Sequence, residues 1–169
     1  HWAELLNFNT SDIDYTALKR LVGESVQVKE DIVEQDPFEH GIRKALNLGH
    51  TVGHAFESMA LAENRPVLHG YAVAWGIVCE LYLSHTKVGF PKERMRQTIQ
   101  FIKDNYGVFT FDCKKYEQIY AYMTHDKKNT SGTINFTLLK DIGDICINQT
   151  AGKDTIFEML DFYRECMGI

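Results

Sequence analysis

Residues 39–57 read EHGIRKALNLGHTVGHAFE, and this stretch decides how the whole chain is interpreted. Its apolar residues recur at helical spacing, which predicts a helix from about Phe38 to Leu61. At about 100° per residue, six polar side chains fall within roughly 80° of one another on that helix. They are Glu39, Arg43, Asn47, His50, His54 and Glu57. One face of an otherwise apolar helix therefore carries groups that bind charge, transfer protons or coordinate metal.

A solvated surface is the alternative interpretation of this face, since a Glu/Arg pair four residues apart stabilises any exposed helix slightly. Solvated faces are usually rich in lysine and glutamate, whereas histidine and asparagine are poor helix formers. Gly49 and Gly53 weaken a helix by about 1 kcal/mol each relative to alanine. That cost suits a place where another backbone or a ligand comes close. The composition of the face favours a functional site.

His69 begins the next predicted helix, which extends to about Lys87. A lone histidine at a helix start is more often structural than a ligand. A short loop, however, would set this helix antiparallel to the preceding one and bring His69 close to His50. Neutral imidazole suits Zn²⁺, which commonly takes three protein ligands in catalytic sites. His50 and His69 are therefore candidate metal ligands, one short of a full set.

The remaining pattern predicts a mainly α-helical bundle with one small antiparallel β-hairpin. Further helices are expected at about 14–34, 91–107, 113–123 and 154–167, and strands at 133–139 and 144–148. Asp36-Pro37 should end the first long helix, because the residue before proline disfavours the α conformation. Residues 1–6 already look helical, and no initiator Met precedes them, as in a fragment of a longer chain.

Composition excludes several classes of protein. A length of 169 residues with 44% apolar residues suits one domain, and a formal charge of −5 argues against a general nucleic-acid binder. Four scattered cysteines without a CxxC pair predict reduced thiols in a cytosolic protein. No signal peptide and no apolar run of about 18 residues is present. GxSxG, P-loop, HExxH and GxGxxG motifs are also missing from the sequence.

The sequence contains Lys29, QDPFE at 35–39, LNLGHTVGHAFE at 46–57 and LHG at 68–70. Together, these segments resemble the 3-dehydroquinate synthase family. MTHDKKN at 123–129 fits the same family, so the likeness spans nearly the whole chain. The resemblance implies the helical C-terminal domain of a two-domain lyase of the shikimate pathway, which leads to aromatic amino acids. Such an enzyme converts the sugar phosphate DAHP to 3-dehydroquinate and phosphate, using NAD⁺ and a divalent metal.

The resemblance also implies a role for particular residues. His50 and His69 would bind Zn²⁺ or another divalent metal such as Co²⁺. The substrate-binding positions would be Lys29, Arg43, Asn47, His54 and Lys128, the last in preference to its neighbour Lys127. Catalytic roles would fall to His54, Lys29 and Glu39. The residue types agree, since arginine clamps a carboxylate bidentately and histidine transfers protons near neutral pH.

One departure from the family concerns the third metal ligand, a glutamate in an AExxK motif upstream of the first long helix. Ala3-Glu4 imitates this motif, but Asn7 stands where lysine is expected, and Glu4 lies only 25 residues before Lys29. We therefore expect the true ligand to be absent from this chain. We also expect residues 1–169 to form a single metal- and substrate-binding domain that contains no NAD⁺-binding domain.

Two other functions remain open at this point. One is a related sugar-phosphate cyclase or metal-dependent polyol dehydrogenase, and the other is a non-catalytic metal-binding helical module. Arg43 and Asn47 favour the synthase, because a simple alcohol has no carboxylate or phosphate for them to hold. For the complete synthase we expect a cytoplasmic homodimer with a small-molecule substrate and no nucleic-acid or membrane partner. Glu39, Arg43, Asn47, His50 and His54 are expected to line one cleft.

Overall fold

The structure of the protein is a computed structural model that describes residues 1–125 and 133–169. In these ranges the α-helices are α1 (Trp2–Leu6), α2 (Tyr15–Gln35), α3 (His50–Ala62), α4 (His69–Leu83), α5 (Lys92–Tyr106), α6 (Tyr116–Thr124) and α7 (Lys153–Met167). Two strands, β1 (Asn135–Asp141) and β2 (Asp144–Thr150), form an antiparallel hairpin. Short 3₁₀ helices cover Ile42–Asn47 and Cys113–Lys115, and a π-helical turn covers Ser84–Val88. The predicted fold class, mainly α with a small hairpin, is confirmed.

The chain divides into two compact units, residues 1–46 and 47–169. In the first unit, Asp14 caps the start of α2, and its carboxylate accepts hydrogen bonds from the backbone N–H groups of Thr16 and Ala17. The helix ends at Gln35, with Asp36 as its C-cap immediately before Pro37, where the sequence predicts the stop. An ion pair between Arg20 and Glu4 joins α1 to α2.

The second unit contains the hydrophobic core. Phe56 on α3 is fully buried, and its ring centroid lies 5.0 Å from that of Phe109 and 5.3 Å from those of Phe111 and Tyr163. The Tyr163 hydroxyl accepts a hydrogen bond from the Phe109 N–H and donates one to the Phe109 carbonyl oxygen. This pairing satisfies a buried polar group inside an aromatic cluster. Helix α7 is thereby fixed against the segment that follows α5.

Helices α3 and α4 pack against each other through glycines. Gly49 faces Ile77 and the Val73 carbonyl, while Gly53 faces Ala72, so the two helices run antiparallel. A Cβ placed on Gly76 would lie 2.0 Å from the Gly49 carbonyl oxygen, and one on Gly53 would lie 2.9 Å from the Ala72 oxygen. The two backbones are in direct contact there. Only glycine leaves room for this approach.

The β-hairpin is attached to both of these helices. The Thr51 hydroxyl on α3 donates to the Asn135 carbonyl oxygen at 2.9 Å. Near the other end of β1, the Leu139 N–H donates to the Ser84 hydroxyl at 3.0 Å. Both strands lie about where the sequence predicts them, although β1 begins at Asn135 rather than at residue 133.

The predicted single helix from Phe38 to Leu61 is wrong. The chain instead forms the 3₁₀ helix Ile42–Asn47, and α3 starts only at His50. Gly49 separates the 3₁₀ helix from α3. Its φ of 78° lies in the left-handed region, which a continuing right-handed helix does not use. Glu39 also has a positive φ, of 59°. The helical-face argument therefore holds only for His50, His54 and Glu57.

In the part of the chain that the structure describes, no helix combines the length and apolar character needed to cross a membrane.

Replacing Gly76 with alanine should destabilise the second unit by roughly 1 to 3 kcal/mol, because its methyl group would collide with backbone rather than with a flexible side chain. Gly70→Ala on the same helix is the matched control, since nothing lies within 4 Å of its Cβ position. It should be neutral or slightly stabilising. Urea unfolding of both variants measures the difference. Equal stability of the two would contradict direct backbone contact at Gly76.

Candidate functional site

Three imidazole rings meet at the first turns of α3 and α4. The ring centroids of His50 and His69 lie 5.3 Å apart, those of His50 and His54 lie 5.5 Å apart, and those of His54 and His69 lie 5.6 Å apart. His50 and His54 are separated by one turn of α3, while His69 is the first residue of α4. His50 and His54 are half-buried and His69 is exposed. The cluster is thus accessible to a ligand from solvent.

Hydrogen bonds assign the tautomers of two of these rings. His50 Nδ1 lies 3.1 Å from the Leu48 carbonyl oxygen, and His69 Nδ1 lies 3.1 Å from Glu57 Oε2. Both partners accept hydrogen bonds, so in the neutral rings Nδ1 carries the proton and Nε2 carries the lone pair. Metal-binding histidines are oriented in this way, with an outer carboxylate or carbonyl that fixes the tautomer.

His50 and His69 therefore fit two positions of a divalent-metal site. Imidazole suits Zn²⁺ and related first-row ions. Among residues 1–125 and 133–169, however, no group of three His, Cys, Asp or Glu side chains is arranged to hold a metal ion. The His54 ring joins the cluster without completing such a set. The metal-ligand role of His50 and His69 stays a prediction. A complete site would need at least one further ligand.

Glu4, which we expect only to imitate the family's third metal ligand, is engaged within the first unit. Arg20 pairs with its Oε1, and His1 Nδ1 lies 3.2 Å from its Oε2. Both oxygens thus already meet basic groups, which supports the interpretation of Glu4 as an imitation of the ligand.

Glu80 on α4 caps the start of α3, and sequence reasoning missed it as part of the site. Its side chain is fully buried. Oε2 accepts a hydrogen bond from the Gly49 N–H at 2.6 Å, and Oε1 accepts one from the Val52 N–H at 3.4 Å. Gly49 has no side chain to cap the helix, so the carboxylate takes that role. The available signal was a lone glutamate inside the apolar run 72–83.

Asp36 organises the loop that carries Glu39 and Arg43 in the first unit. Its carboxylate accepts hydrogen bonds from the backbone N–H groups of His40 at 3.0 Å, Gly41 at 2.7 Å and Arg43 at 3.1 Å. The Arg43 guanidinium donates to the Pro37 carbonyl oxygen at 2.7 Å. These bonds, led by the one from Gly41, hold the pKa of Asp36 below its ordinary value. The sequence indicated only a helix stop at this position.

The other predicted residues are dispersed along the chain. Lys29 is exposed on α2, and Asn47 is half-buried at the end of its 3₁₀ helix. Lys127 and Lys128 lie outside the described residues. Glu39 and Arg43 belong to the first unit, whereas Asn47, His50 and His54 belong to the second. The common cleft expected for these five residues therefore stays a prediction.

The fold and the site together define a class: a mainly helical domain with a histidine cluster where two helices pack through glycine. Residues 1–129 match the family model described as 3-dehydroquinate synthase C-terminal. The 3-dehydroquinate synthase of Parabacteroides distasonis is 56% identical over 169 residues, which is 100% of this chain and 48% of that protein. The one from Leptospira interrogans is 42% identical over 84% of this chain and 40% of its own length.

The chain belongs to the 3-dehydroquinate synthase C-terminal family. It spans about half the length of the curated relatives it matches. A solved structure of 2-deoxy-scyllo-inosose synthase, complexed with carbaglucose-6-phosphate, NAD⁺ and Co²⁺, has the same fold. The TM-score is 0.73 at 20% identity, covering 95% of this chain and 44% of that one.

Asp36 should titrate below the ordinary aspartate pKa of about 4. Its three backbone hydrogen bonds stabilise the loop fully above the unfolded-state pKa, and this stabilisation is lost as pH falls through the lowered folded-state pKa. The Gly41 amide shift, followed by NMR during acidification, should report that midpoint. Asp36→Asn should abolish the transition. A Gly41 midpoint at or above the ordinary value would contradict the loop geometry.

Glu57→Ala should weaken Co²⁺ binding about tenfold, because His69 would lose the carboxylate that fixes its tautomer. Isothermal titration calorimetry measures the affinity. Ser58→Ala, an exposed substitution on the same helix, is the control and should leave it unchanged. Equal affinities for Glu57→Ala and the parent chain would show that Glu57 does not support a metal ligand.

Proposed function

We propose that this chain is the metal- and substrate-binding half of a 3-dehydroquinate synthase, which converts DAHP to 3-dehydroquinate and phosphate in the shikimate pathway. The observation that carries the proposal is the approach of His50 to His69, with the Nδ1 atom of each ring held by its own acceptor. Family membership and 56% identity to a curated synthase support the choice of reaction.

His50 and His69 would hold a divalent ion such as Zn²⁺ or Co²⁺, together with a donor from outside the described residues. The ion would polarise the substrate hydroxyl that NAD⁺ oxidises. The Co²⁺ and NAD⁺ in the solved 2-deoxy-scyllo-inosose synthase support this choice of cofactors. Each ring would offer its Nε2 to the ion, since Nδ1 is engaged by the Leu48 carbonyl in His50 and by the Glu57 carboxylate in His69.

His54 stands beside both ligand candidates and is proposed to bind the substrate phosphate or transfer a proton there. Arg43 is proposed to bind the carboxylate of DAHP. Its guanidinium is held at Pro37 through one nitrogen and keeps further N–H donors for a planar anion. Lys29 and Glu39 are also proposed to have catalytic roles. Asn47 and Lys128 are proposed to add substrate contacts.

NAD⁺ is proposed to bind in the half of the enzyme that this chain does not cover. In the described residues, the only sheet is an antiparallel hairpin, and the sequence carries no glycine-rich turn of the kind that holds a pyrophosphate. We further propose a cytoplasmic enzyme, homodimeric when complete, without nucleic-acid or membrane partners. The four cysteines, all free thiols, support a reducing compartment.

We expect the 169-residue chain alone to release no phosphate from DAHP when NAD⁺ and Co²⁺ are added, because its sequence carries no glycine-rich turn of the kind that holds the hydride acceptor. A chimera is the matched positive control. In it, this chain replaces the matching half of the Parabacteroides distasonis synthase, which it resembles over all 169 residues. The chimera should be active.

Substitutions in the chimera test the individual roles. His50→Ala should abolish activity, and His54→Ala should lower kcat by about 10²- to 10⁴-fold if the ring transfers a proton. Arg43→Ala should chiefly raise KM for DAHP. His85→Ala, which lies outside the cluster, is the histidine control. A folded but inactive chimera that binds carbaglucose-6-phosphate would favour a related cyclase, and one that binds only metal would favour a non-catalytic module.

A further inference from the structure

We infer that Glu80 is a positioning residue for the histidine cluster: its buried carboxylate holds the first turn of α3 and so sets the orientation of His50. The link to metal binding rests on the proposed function, in which His50 is a ligand. The positioning itself is a property of the helix start and can be measured without metal.

The two oxygens of Glu80 bind on either side of His50. Oε2 accepts from the Gly49 N–H at 2.6 Å, and Oε1 accepts from the Val52 N–H at 3.4 Å. The first N–H groups of a helix have no partner within the helix, and an anion there gains from both hydrogen bonding and the helix dipole. His50 is the first residue of α3 and would therefore be the first to fray if this cap were lost.

Glu80 is itself held in a fixed position. The Ser84 hydroxyl donates to the Glu80 carbonyl oxygen at 2.7 Å and accepts from the Leu139 N–H at 3.0 Å. The turn of α4 that carries the carboxylate is thus tied to β1. On the other side of His50, Thr51 donates to Asn135 of the same strand. The start of α3 is anchored to α4 and the hairpin together.

The His50 ring depends on this anchoring through its own hydrogen bond. Its Nδ1 lies 3.1 Å from the carbonyl oxygen of Leu48, the residue immediately before Gly49. Releasing the Gly49 N–H from Glu80 frees the peptide that carries this carbonyl group and changes the backbone from which the ring projects. The Nδ1–H bond would then be lost, and the ring would exchange between tautomers.

The experiment compares Glu80→Ala, Glu80→Asp and Glu80→Gln with Val78→Ala, a core truncation at a fully buried site on the same helix. Ring ¹⁵N NMR at a temperature where all are folded reports the His50 tautomer. We expect the Nδ1–H form in the parent and in Val78→Ala. A tautomer mixture is expected in Glu80→Ala. It is also expected in Glu80→Asp, because the aspartate side chain is one methylene shorter. Glu80→Gln, which keeps an acceptor oxygen, should retain most of the Nδ1–H form.

Co²⁺ titration by calorimetry then connects the orientation of His50 to ligand binding. Glu80→Ala should bind about tenfold more weakly than Val78→Ala, as expected for loss of a residue that orients a ligand. If Glu80→Ala does not fold, Glu80→Asp replaces it in both measurements.

Two results would overturn the inference: an unchanged His50 tautomer in Glu80→Ala and Glu80→Asp, or an equal change in Val78→Ala. If the His50 signals depend on Glu80 but the parent chain binds no Co²⁺, the positioning stands. In that case the metal-ligand role in the proposed function is what fails.

Discussion

The direct backbone contact between α3 and α4 is the constraint on which the rest of the second unit depends. Gly49 and Gly53 face α4, and Gly76 faces α3, where a Cβ would stand 2.0 Å from a carbonyl oxygen. Close packing at this point leaves no space for a capping side chain on α3 itself. Glu80 therefore supplies the cap from the neighbouring helix, and the N–H groups it binds satisfy its buried oxygens.

The histidine cluster is a consequence of that packing. His50 and His54 project from α3 one turn apart, and the approach of the two helices sets their ring distances of 5.3 and 5.6 Å from His69 at the start of α4. The Leu48 carbonyl, two residues before His50, orients that ring, whereas the Glu57 carboxylate reaches His69 from the neighbouring helix. Helix packing brings the rings together, and hydrogen bonds then orient them.

In the first unit, a single aspartate organises the loop that follows α2. Asp36 ends α2 and then binds three backbone N–H groups of the following loop, so one carboxylate both stops a helix and shapes the segment that carries Arg43. Arginine alone would be a flexible cation on such a loop. Its bond to the Pro37 carbonyl restricts the conformations open to the guanidinium.

The sequence by itself determined the helical class, the hairpin and the stop at Asp36-Pro37, because periodicity and proline geometry are local signals. Motif spacing also singled out the histidines as candidate site residues. It did not determine that Gly49 breaks the helix predicted through 38–61. A glycine tolerates both helical and left-handed backbone, and the choice between them depends on contact with Gly76, 27 residues away. The cap by Glu80 was hidden for the same reason. A glutamate in an apolar run shows that a buried partner must exist, and only the tertiary structure decided that this partner is the first turn of α3.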